Sequence, residues 1–387
     1  MDLLYSVFLY LLVFLTTVLM CYIINLKYNN LDGREVIIRR CLLAFAVLLP
    51  TLIAGLRGDF VGTDMHVYIL DDFYLSENKS FNELLRVLPG REFGYLLLLY
   101  ITSRFSDTPV LFLSCAQLLT YGLVLFGIYK LRDKINFTVA VSVYLFLFYN
   151  MSFNILRQSI ACAFLFLAFI YLYDRKKIKF ICLALLACLF HKAAIVGLIL
   201  LIILYFYNNL QLASLQSYLL PIFLITLGVY IFYKEFFVFL LNNFDFPDYL
   251  KNYINIIVMQ TTIGNQFYFI QSIGKGLILE LCFKVLFVII PYMLLKRHNE
   301  NNILRFSLIV AFTSSCIYLF GFFAFNTIYA YRITMFLDYF LIILLAVSIK
   351  DSCKFLKNIL IIVMLFYYWL GVYMLMGWHG TNLYYFR

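Results

Sequence analysis

The segment "NILRQSIACAFLFLAFIYLYDRKKIKFICLALLACLFHKAA", residues 154–194, contains the pattern from which the architecture of this chain follows. Two apolar runs, at 157–173 and 178–190, flank the basic loop "DRKKIK" at 174–179. Apolar runs that approach about 20 residues fit helices that cross a bilayer, and basic loops between such helices stay on the cytoplasmic side. We therefore expect two neighbouring membrane helices that are joined by a cytoplasmic loop.

Composition extends this interpretation to the whole chain of 387 residues. The sequence is 65% hydrophobic and only 13% charged, whereas soluble domains have roughly a quarter of their residues charged. The net charge of +10 arises from short basic loops between apolar runs, so it indicates membrane orientation and contact with lipids, not nucleic-acid binding. The nine cysteines show no paired spacing, and we expect neither a disulfide framework nor a metal site.

The basic loops predict an all-α polytopic integral membrane protein with about twelve transmembrane helices. The first run, 3–24, has no basic segment before it and no cleavage pattern after it, so we expect an uncleaved anchor. Cytoplasmic placement of the basic loops then puts the N-terminus outside. The predicted crossings are 3–24, 38–56, 109–129, 136–153, 157–173, 178–190, 193–207, 218–240, 273–294, 304–325, 332–349 and 357–376.

Two external loops, 57–91 and 241–272, complete a single transmembrane domain that occupies residues 1–387. The region from Arg57 to Glu92 holds seven acidic residues against four basic ones, as an external loop would. Within it, "SFNELLRVL" at 80–88 predicts a short helix on the membrane surface. The next apolar stretch, 92–105, is too short for an ordinary span, so we expect a half-inserted or re-entrant helix.

Polar side chains at the ends of spans are candidates for a site, because an ionisable group in hydrocarbon costs at least about 2.5–3.5 kcal/mol. Asn154, Arg157 and Gln158 are expected on one helical face at the outer edge. Arg157 is then either a snorkelling interfacial residue or a bidentate phosphate ligand. His191 interrupts the run 180–207, which is short for two spans, and it is either structural or a general base or phosphate ligand.

Further along the chain, Arg332 opens a predicted span and Asp338 lies nearly two turns deeper. Glu280 and Lys284 have the i,i+4 spacing of an intrahelical ion pair. There is no Walker A loop, no H-E-x-x-H and no G-x-S-x-G, which argues against an ATP-driven pump, a zinc protease and a serine hydrolase.

The predicted topology brings three arginines and a histidine to the outer leaflet, with carboxylates beside them. They are Arg57, Arg157, Arg332 and His191, with Asp59 and Asp64 among the carboxylates. Such a set suits a di-anionic lipid headgroup together with a polar acceptor, and a pyrophosphate-linked glycolipid fits that description.

Four segments resemble the EpsG-like family of exopolysaccharide and O-antigen polymerases (Wzy-type). "GLRGDFVGTDMHVY" (55–68) resembles its R-x(n)-G-T-D-x(3)-Y segment, and "EFGYLLLLYI" (92–101) its E-x-G-[YF] start of a hydrophobic stretch. The block 153–195 is similar to N-x(2)-R-Q-x-I-A followed by [AL]-x-x-F-H-x-[ST]-A, and "YRITMFLDYF" (331–340) to a late arginine-containing span. Ala193 departs from the pattern, which has a small hydroxyl residue there.

The resemblance implies a GT-C-like glycosyltransferase of the bacterial inner membrane with its active face in the periplasm. Such an enzyme transfers an undecaprenyl-pyrophosphate-linked glycan to the non-reducing end of a lipid-linked repeat unit. On this chain, Arg157, Arg332 and Arg57 would hold the pyrophosphate, and Asp64 or His191 would accept the acceptor's proton. Gln158, Asn154 and Tyr68 would orient sugar or phosphate. We expect no metal and no cofactor, and a chain-length regulator is a candidate partner.

Three alternatives stay open at this stage. A lipid-linked oligosaccharide flippase or other transporter would place charges along both halves of the membrane. A membrane O-acyltransferase and a polysaccharide ligase would share the outward-facing site, and the ligase would differ from the polymerase only in its acceptor.

Overall fold

The computed structural model describes residues 3–26, 33–210, 214–243, 275–294, 302–323, 327–350 and 355–387. Within these ranges the regular elements are helices, and one isolated antiparallel bridge joins Arg57 to Phe386. The prediction of an all-α fold is confirmed for this part of the chain. The second predicted external loop, 241–272, lies outside the described residues except for its first three, which end a helix.

The helices follow one another along the whole chain. They are α1 (Leu3–Asn25), α2 (Gly33–Gly55), α3 (Leu70–Glu77), α4 (Phe81–Val87), α5 (Phe93–Ser103), α6 (Val110–Gln117), α7 (Leu123–Lys130), α8 (Phe137–Tyr144), α9 (Asn150–Asn154), α10 (Leu156–Tyr173), α11 (Lys177–Phe190), α12 (Ala194–Asn208), α13 (Gln216–Asn243), α14 (Lys275–Leu294), α15 (Asn302–Phe323), α16 (Thr327–Asp338), α17 (Leu341–Lys350) and α18 (Phe355–Tyr368). Wider π-helical turns occupy Met65–Ile69, Leu118–Gly122, Leu145–Tyr149 and Trp369–Leu375, and a short 3₁₀ turn occupies Trp378–Gly380.

The helices have the length and composition of a multi-pass membrane protein. Six helical stretches in the described ranges are long and apolar enough to cross a bilayer, or seven if the broken pair formed by α16 and α17 counts as one span. A helix lies at each of the twelve predicted crossings, but the number of crossings stays a prediction. The predicted span 332–349 is not one continuous helix, because it breaks at Tyr339 and Phe340.

Two compact units make up the chain, Met1–Leu198 with Ile342–Arg387 and Ile199–Leu341. In the first unit, the side chains of α10 are almost all buried. The side chain of Asn150 is fully buried there, and its Oδ1 accepts a hydrogen bond of 3.0 Å from the indole of Trp369.

In the second unit, a buried polar cluster ties α14 to α15 and α16. Lys284 Nζ lies 2.6 Å from Asp338 Oδ2, and Glu280 accepts a 3.4 Å hydrogen bond from the hydroxyl of Tyr318. The i,i+4 spacing of Glu280 and Lys284 keeps their charges in electrostatic contact, but the direct ion pair of Lys284 is with Asp338. The ammonium pairs across helices, because Asp338 reaches it from a neighbouring element.

Two local predictions from the sequence are confirmed. The short helix near 80–88 is α4, which Ser80 and Glu83 begin with a reciprocal capping box. The run 180–207 breaks where expected: α11 ends at Phe190, and His191 has an extended backbone (φ −156°, ψ 122°) before α12 begins.

The N-terminal end of α5 approaches the C-terminal end of α11 closely at Gly94. A Cβ at this position would lie 2.9 Å from the carbonyl oxygen of Leu189 and 3.0 Å from Cδ2 of Phe190. Only a glycine leaves room for this contact without displacing the backbone of α11. The contact places Glu92, which precedes α5, beside His191, which follows α11.

We predict that Gly94→Ala separates α5 from α11. Overpacking of this kind costs about 1–3 kcal/mol, so the melting temperature of the purified protein in detergent should fall by several degrees. Gly90→Ala is the matched control, since a Cβ there would meet nothing within 4 Å. Equal melting temperatures for the two variants would contradict the predicted close contact.

Candidate functional site

The polar corner after α2 is an irregular segment that the last residues of the chain hold in place. Gly58 N donates to Tyr385 O at 2.8 Å, and Gly62 N donates to Gly380 O at 2.8 Å. The carboxylate of Asp59 pairs with Arg387. Irregular backbone next to apolar helices needs such partners, because unsatisfied amide groups are costly away from water. The C-terminal residues thus form one side of the corner.

A glycine, a threonine and an aspartate in this corner meet the end of α9. Gly62 has φ +93°, a left-handed conformation that other residues rarely adopt, and a Cβ there would lie 3.0 Å from Phe153 O. The turn presents Thr63 and Asp64 to Asn154, whose Oδ1 accepts from the Thr63 hydroxyl and, at 2.8 Å, from the Asp64 amide. This explains the residue pattern G-T-D in physical terms.

Asn154 also contacts a histidine near the C-terminus. Its Nδ2 lies 2.9 Å from Nδ1 of His379. Since the amide nitrogen can only donate, Nδ1 accepts and the proton of the neutral imidazole lies on Nε2. Burial lowers the pKa of His379 to about 3, so this side chain is a neutral hydrogen-bond donor at physiological pH.

Tyr68 connects the corner to the next group of side chains. Its hydroxyl donates a 2.8 Å hydrogen bond to Asp64 Oδ2, one turn earlier. Burial and the charge of Asp64 raise the pKa of Tyr68 well above its ordinary value, so the phenol stays protonated. Two guanidinium groups lie over its ring, that of Arg91 at 4.2 Å and that of Arg157 at 5.1 Å from the centroid.

Glu92 lies at the centre of the site. It precedes α5 in an extended conformation (φ −75°, ψ 145°) and does not cap that helix with its side chain. One carboxylate oxygen pairs with Arg157, and the other lies 3.1 Å from Nδ1 of His191 and 3.4 Å from the backbone nitrogen of Lys192. A single carboxylate therefore positions both residues.

The charges around Glu92 decide its protonation state. Burial by itself would raise its pKa, but the hydrogen bond from His191 and the positive charge of Arg157 outweigh that effect and lower the pKa to about 2. The carboxylate is thus ionised throughout the physiological range. When the ring of His191 is neutral and donates Nδ1–H to this carboxylate, Nε2 is its unprotonated nitrogen.

A second carboxylate holds the other arginine. Asp72 Oδ2 lies 2.7 Å from Nε of Arg91 and accepts a 3.0 Å hydrogen bond from the hydroxyl of Tyr95. The side chain of Asp72 is 5% exposed and that of Arg91 is 25% exposed. The arginine is therefore the more accessible member of this ion pair.

Five of the eight predicted site residues form one connected set, with Glu92 and Tyr68 as links. The five are Asp64, Tyr68, Asn154, Arg157 and His191. The prediction that Asn154 and Arg157 share one helical face is wrong. Ile155 has a non-helical backbone (φ −97°, ψ 55°), and it interrupts the helix between α9 and α10. Tertiary contacts bring the two side chains to the same site instead.

Of the other three predicted residues, two are buried in the first unit and one is exposed in the second. Arg57 is 1% exposed, and its guanidinium donates to the carbonyls of Ala54 at 2.7 Å and Phe153 at 3.3 Å. Gln158 is buried in α10. Arg332 is exposed on α16, which belongs to the second unit.

Sequence reasoning missed Glu92, Arg91, Asp72 and His379 as site residues. Glu92 had a detectable signal: an acidic residue that immediately precedes an apolar stretch and lies two residues before a glycine. Arg91 and Asp72 looked like ordinary members of a charged external loop. His379 is 225 positions from Asn154, and no local pattern predicts that contact.

The arrangement combines an anchored cation with an oriented imidazole. Arg157 can bind a phosphate with the donors that Glu92 and Tyr68 do not occupy, and His191 Nε2 can accept a proton. Asp64, Tyr68 and His379 add hydrogen-bonding groups of the kind that recognise sugar hydroxyls. A phosphate-binding cation beside a proton acceptor suits a transfer reaction in which a phosphate group leaves.

We predict that Glu92 stabilises the fold in a pH-dependent way. Its folded pKa of about 2 lies below the ordinary value of 4.5, so its contribution is present above about pH 4.5 and is lost as the pH falls towards 2. The difference in melting temperature between wild type and Glu92→Gln should therefore be large at pH 7 and shrink between pH 5 and pH 3.

The exposed Asp107 supplies the control for this measurement, and Asp107→Asn should leave the melting temperature unchanged at every pH. A wild-type advantage over Glu92→Gln that stays constant from pH 7 to pH 3 would contradict the proposed ionisation of Glu92.

Comparison with known proteins identifies the family. No curated protein and no solved structure matches the chain. A family model described as "EpsG family" matches residues 40–386, which includes the corner after α2, Glu92, Arg157, His191 and the C-terminal segment. The resemblance inferred from the four segments is confirmed, and the chain belongs to the EpsG family.

Proposed function

We propose that this protein is a polysaccharide polymerase of the bacterial inner membrane. It transfers an undecaprenyl-pyrophosphate-linked glycan chain onto the non-reducing end of a lipid-linked oligosaccharide repeat unit, at the periplasmic face. The observation that carries the proposal is the single carboxylate of Glu92, which holds Arg157 and His191 side by side. Membership of the EpsG family supports the same reaction class.

In the proposed reaction, the acceptor hydroxyl oxygen attacks C1 of the donor sugar and the bond from C1 to the phosphate oxygen breaks. His191 Nε2 accepts the hydroxyl proton, and undecaprenyl pyrophosphate leaves with the bonding electron pair. Arg157 stabilises the charge that develops on the leaving group, since an anchored cation needs no reorganisation. The leaving group already carries two phosphates, so we propose a metal-independent reaction.

The remaining predicted residues take supporting roles in this proposal. Asp64 is the second candidate for the base, although its Oδ2 already accepts the hydroxyl of Tyr68. Tyr68 and Asn154 orient sugar hydroxyls. Arg57 and Gln158 are buried and act by shaping the corner and α10. Arg332 takes part in holding the pyrophosphate in this proposal.

We further propose a GT-C-like arrangement with twelve crossings. The loops 57–91 and 241–272 then face the periplasm, and the short helices α4 and α5 lie at or partly within the outer leaflet. In this topology Glu92, at the start of α5, is at the membrane edge. A lipid-linked substrate would bring its pyrophosphate to the same depth, with its polyprenyl chain among the apolar helices. A separate chain-length regulator is a candidate partner.

A lipid-linked oligosaccharide flippase is the second candidate function. The buried cluster of Lys284, Asp338 and Glu280 in the second unit favours it, because charges inside membrane helices often line a transport path. The polymerase is the better supported of the two, since the Glu92 site combines a proton acceptor with a phosphate ligand.

Deletion of the gene separates the two functions. The polymerase predicts that a deletion strain exports single repeat units and lacks long chains when surface polysaccharide is displayed on a gel. The flippase predicts that even single repeat units are missing from the surface. Long polymer in the deletion strain would overturn both.

For the site itself, Arg157→Ala and His191→Ala are each expected to reduce long-chain polymer by about 100-fold or more in a complemented deletion strain. Arg157→Lys should also reduce long-chain polymer, because a lysine ammonium cannot bind a phosphate in the bidentate way that a guanidinium can.

Arg86→Ala and His66→Ala are the matched controls, since both residues are exposed in the same loop. Immunoblots of membranes should show equal amounts of every variant. Normal polymer from either site variant would refute the assigned role.

A further inference from the structure

Two arginines, not one, border the ring of Tyr68. The guanidinium carbons of Arg91 and Arg157 lie 4.2 Å and 5.1 Å from its centroid, so the two cations are less than about 10 Å apart. Like charges at this distance repel each other. A fold that holds them together needs either counter-charges or an anionic ligand.

Each arginine has its own buried carboxylate. Asp72 holds Arg91 and Glu92 holds Arg157. The carboxylates are 5% and 7% exposed, while the side chains of Arg91 and Arg157 are 25% and 18% exposed. In both pairs the carboxylate is the more buried partner and the guanidinium is the more accessible one.

Neither carboxylate uses all the donors of its arginine. Asp72 takes Nε and Nη2 of Arg91, and Glu92 takes Nη1 of Arg157. A guanidinium has five N–H donors in a planar fork, so each group has further donors for a second anion. Two such forks near one another can each take one charged centre of an anion that has two neighbouring charged centres, such as a pyrophosphate.

We propose that Arg91 is a second pyrophosphate-binding residue, which together with Arg157 takes one phosphate each of the lipid-linked donor. This inference rests on the proposed function and names a part of its substrate site. Both guanidinium groups contact the ring of Tyr68, which keeps them near each other. Asp72 and Tyr95 position Arg91, just as Glu92 positions Arg157.

The test measures how strongly the protein distinguishes a pyrophosphate from a monophosphate. Undecaprenyl pyrophosphate and undecaprenyl phosphate are titrated separately into the purified full-length protein in detergent. Wild type should bind the pyrophosphate at least about tenfold more tightly. Arg91→Ala should reduce this ratio towards one, and Arg86→Ala should leave it unchanged. Competition by inorganic pyrophosphate would show that the headgroup is recognised without its lipid.

Loss of Arg91 leaves Asp72 as a buried, unpaired charge, and the single variant could misfold for that reason. The charge-balanced double variant Arg91→Gln with Asp72→Asn removes both charges together, and it should show the same loss of preference. A wild-type ratio in this folded double variant would overturn the role of Arg91 while leaving the polymerase intact. Absence of any preference in wild type would overturn the inference. The polymerase function would still be tested independently by the surface polysaccharide of the deletion strain.

Discussion

The carboxylate of Glu92 must satisfy two partners at once, a guanidinium from α10 and an imidazole from the break after α11. It is only 7% exposed, and removing a buried charge from its partners is costly. The helix ends that carry these groups therefore have to meet at one point. Gly94 permits that meeting, because a larger residue would collide with the end of α11.

The need of buried polar groups for partners also explains the position of the C-terminal segment. Gly58 and Gly62 are buried in an irregular stretch between α2 and the next helical turn, so their backbone amides need partners within the protein. Residues Gly380 and Tyr385 supply them. His379 comes with this segment and reaches Asn154, so the partners of the corner also complete one wall of the site. Structural and functional requirements are met here by the same few residues.

Much of this architecture followed from simple patterns. Helix positions were predictable because apolar run lengths and basic loops reflect the bilayer, and the break at His191 followed from a run too short for two spans. Arg157 and His191 stood out because polar groups at the ends of apolar runs are expensive to place. The helical-face argument for Asn154 failed, since a single non-helical residue, Ile155, separates α9 from α10.

The amino-acid order by itself thus determined that the protein has membrane helices, where those helices lie and which polar residues are candidates for the site. These properties depend on local composition and hydrophobicity. The amino-acid order could not identify Glu92 as the shared partner of Arg157 and His191, nor pair Arg91 with Asp72 or Asn154 with His379. Those contacts join positions between 19 and 225 residues apart. They arise only when packed helices bring distant side chains within reach, since hydrogen bonds and ion pairs act over a few ångströms in space.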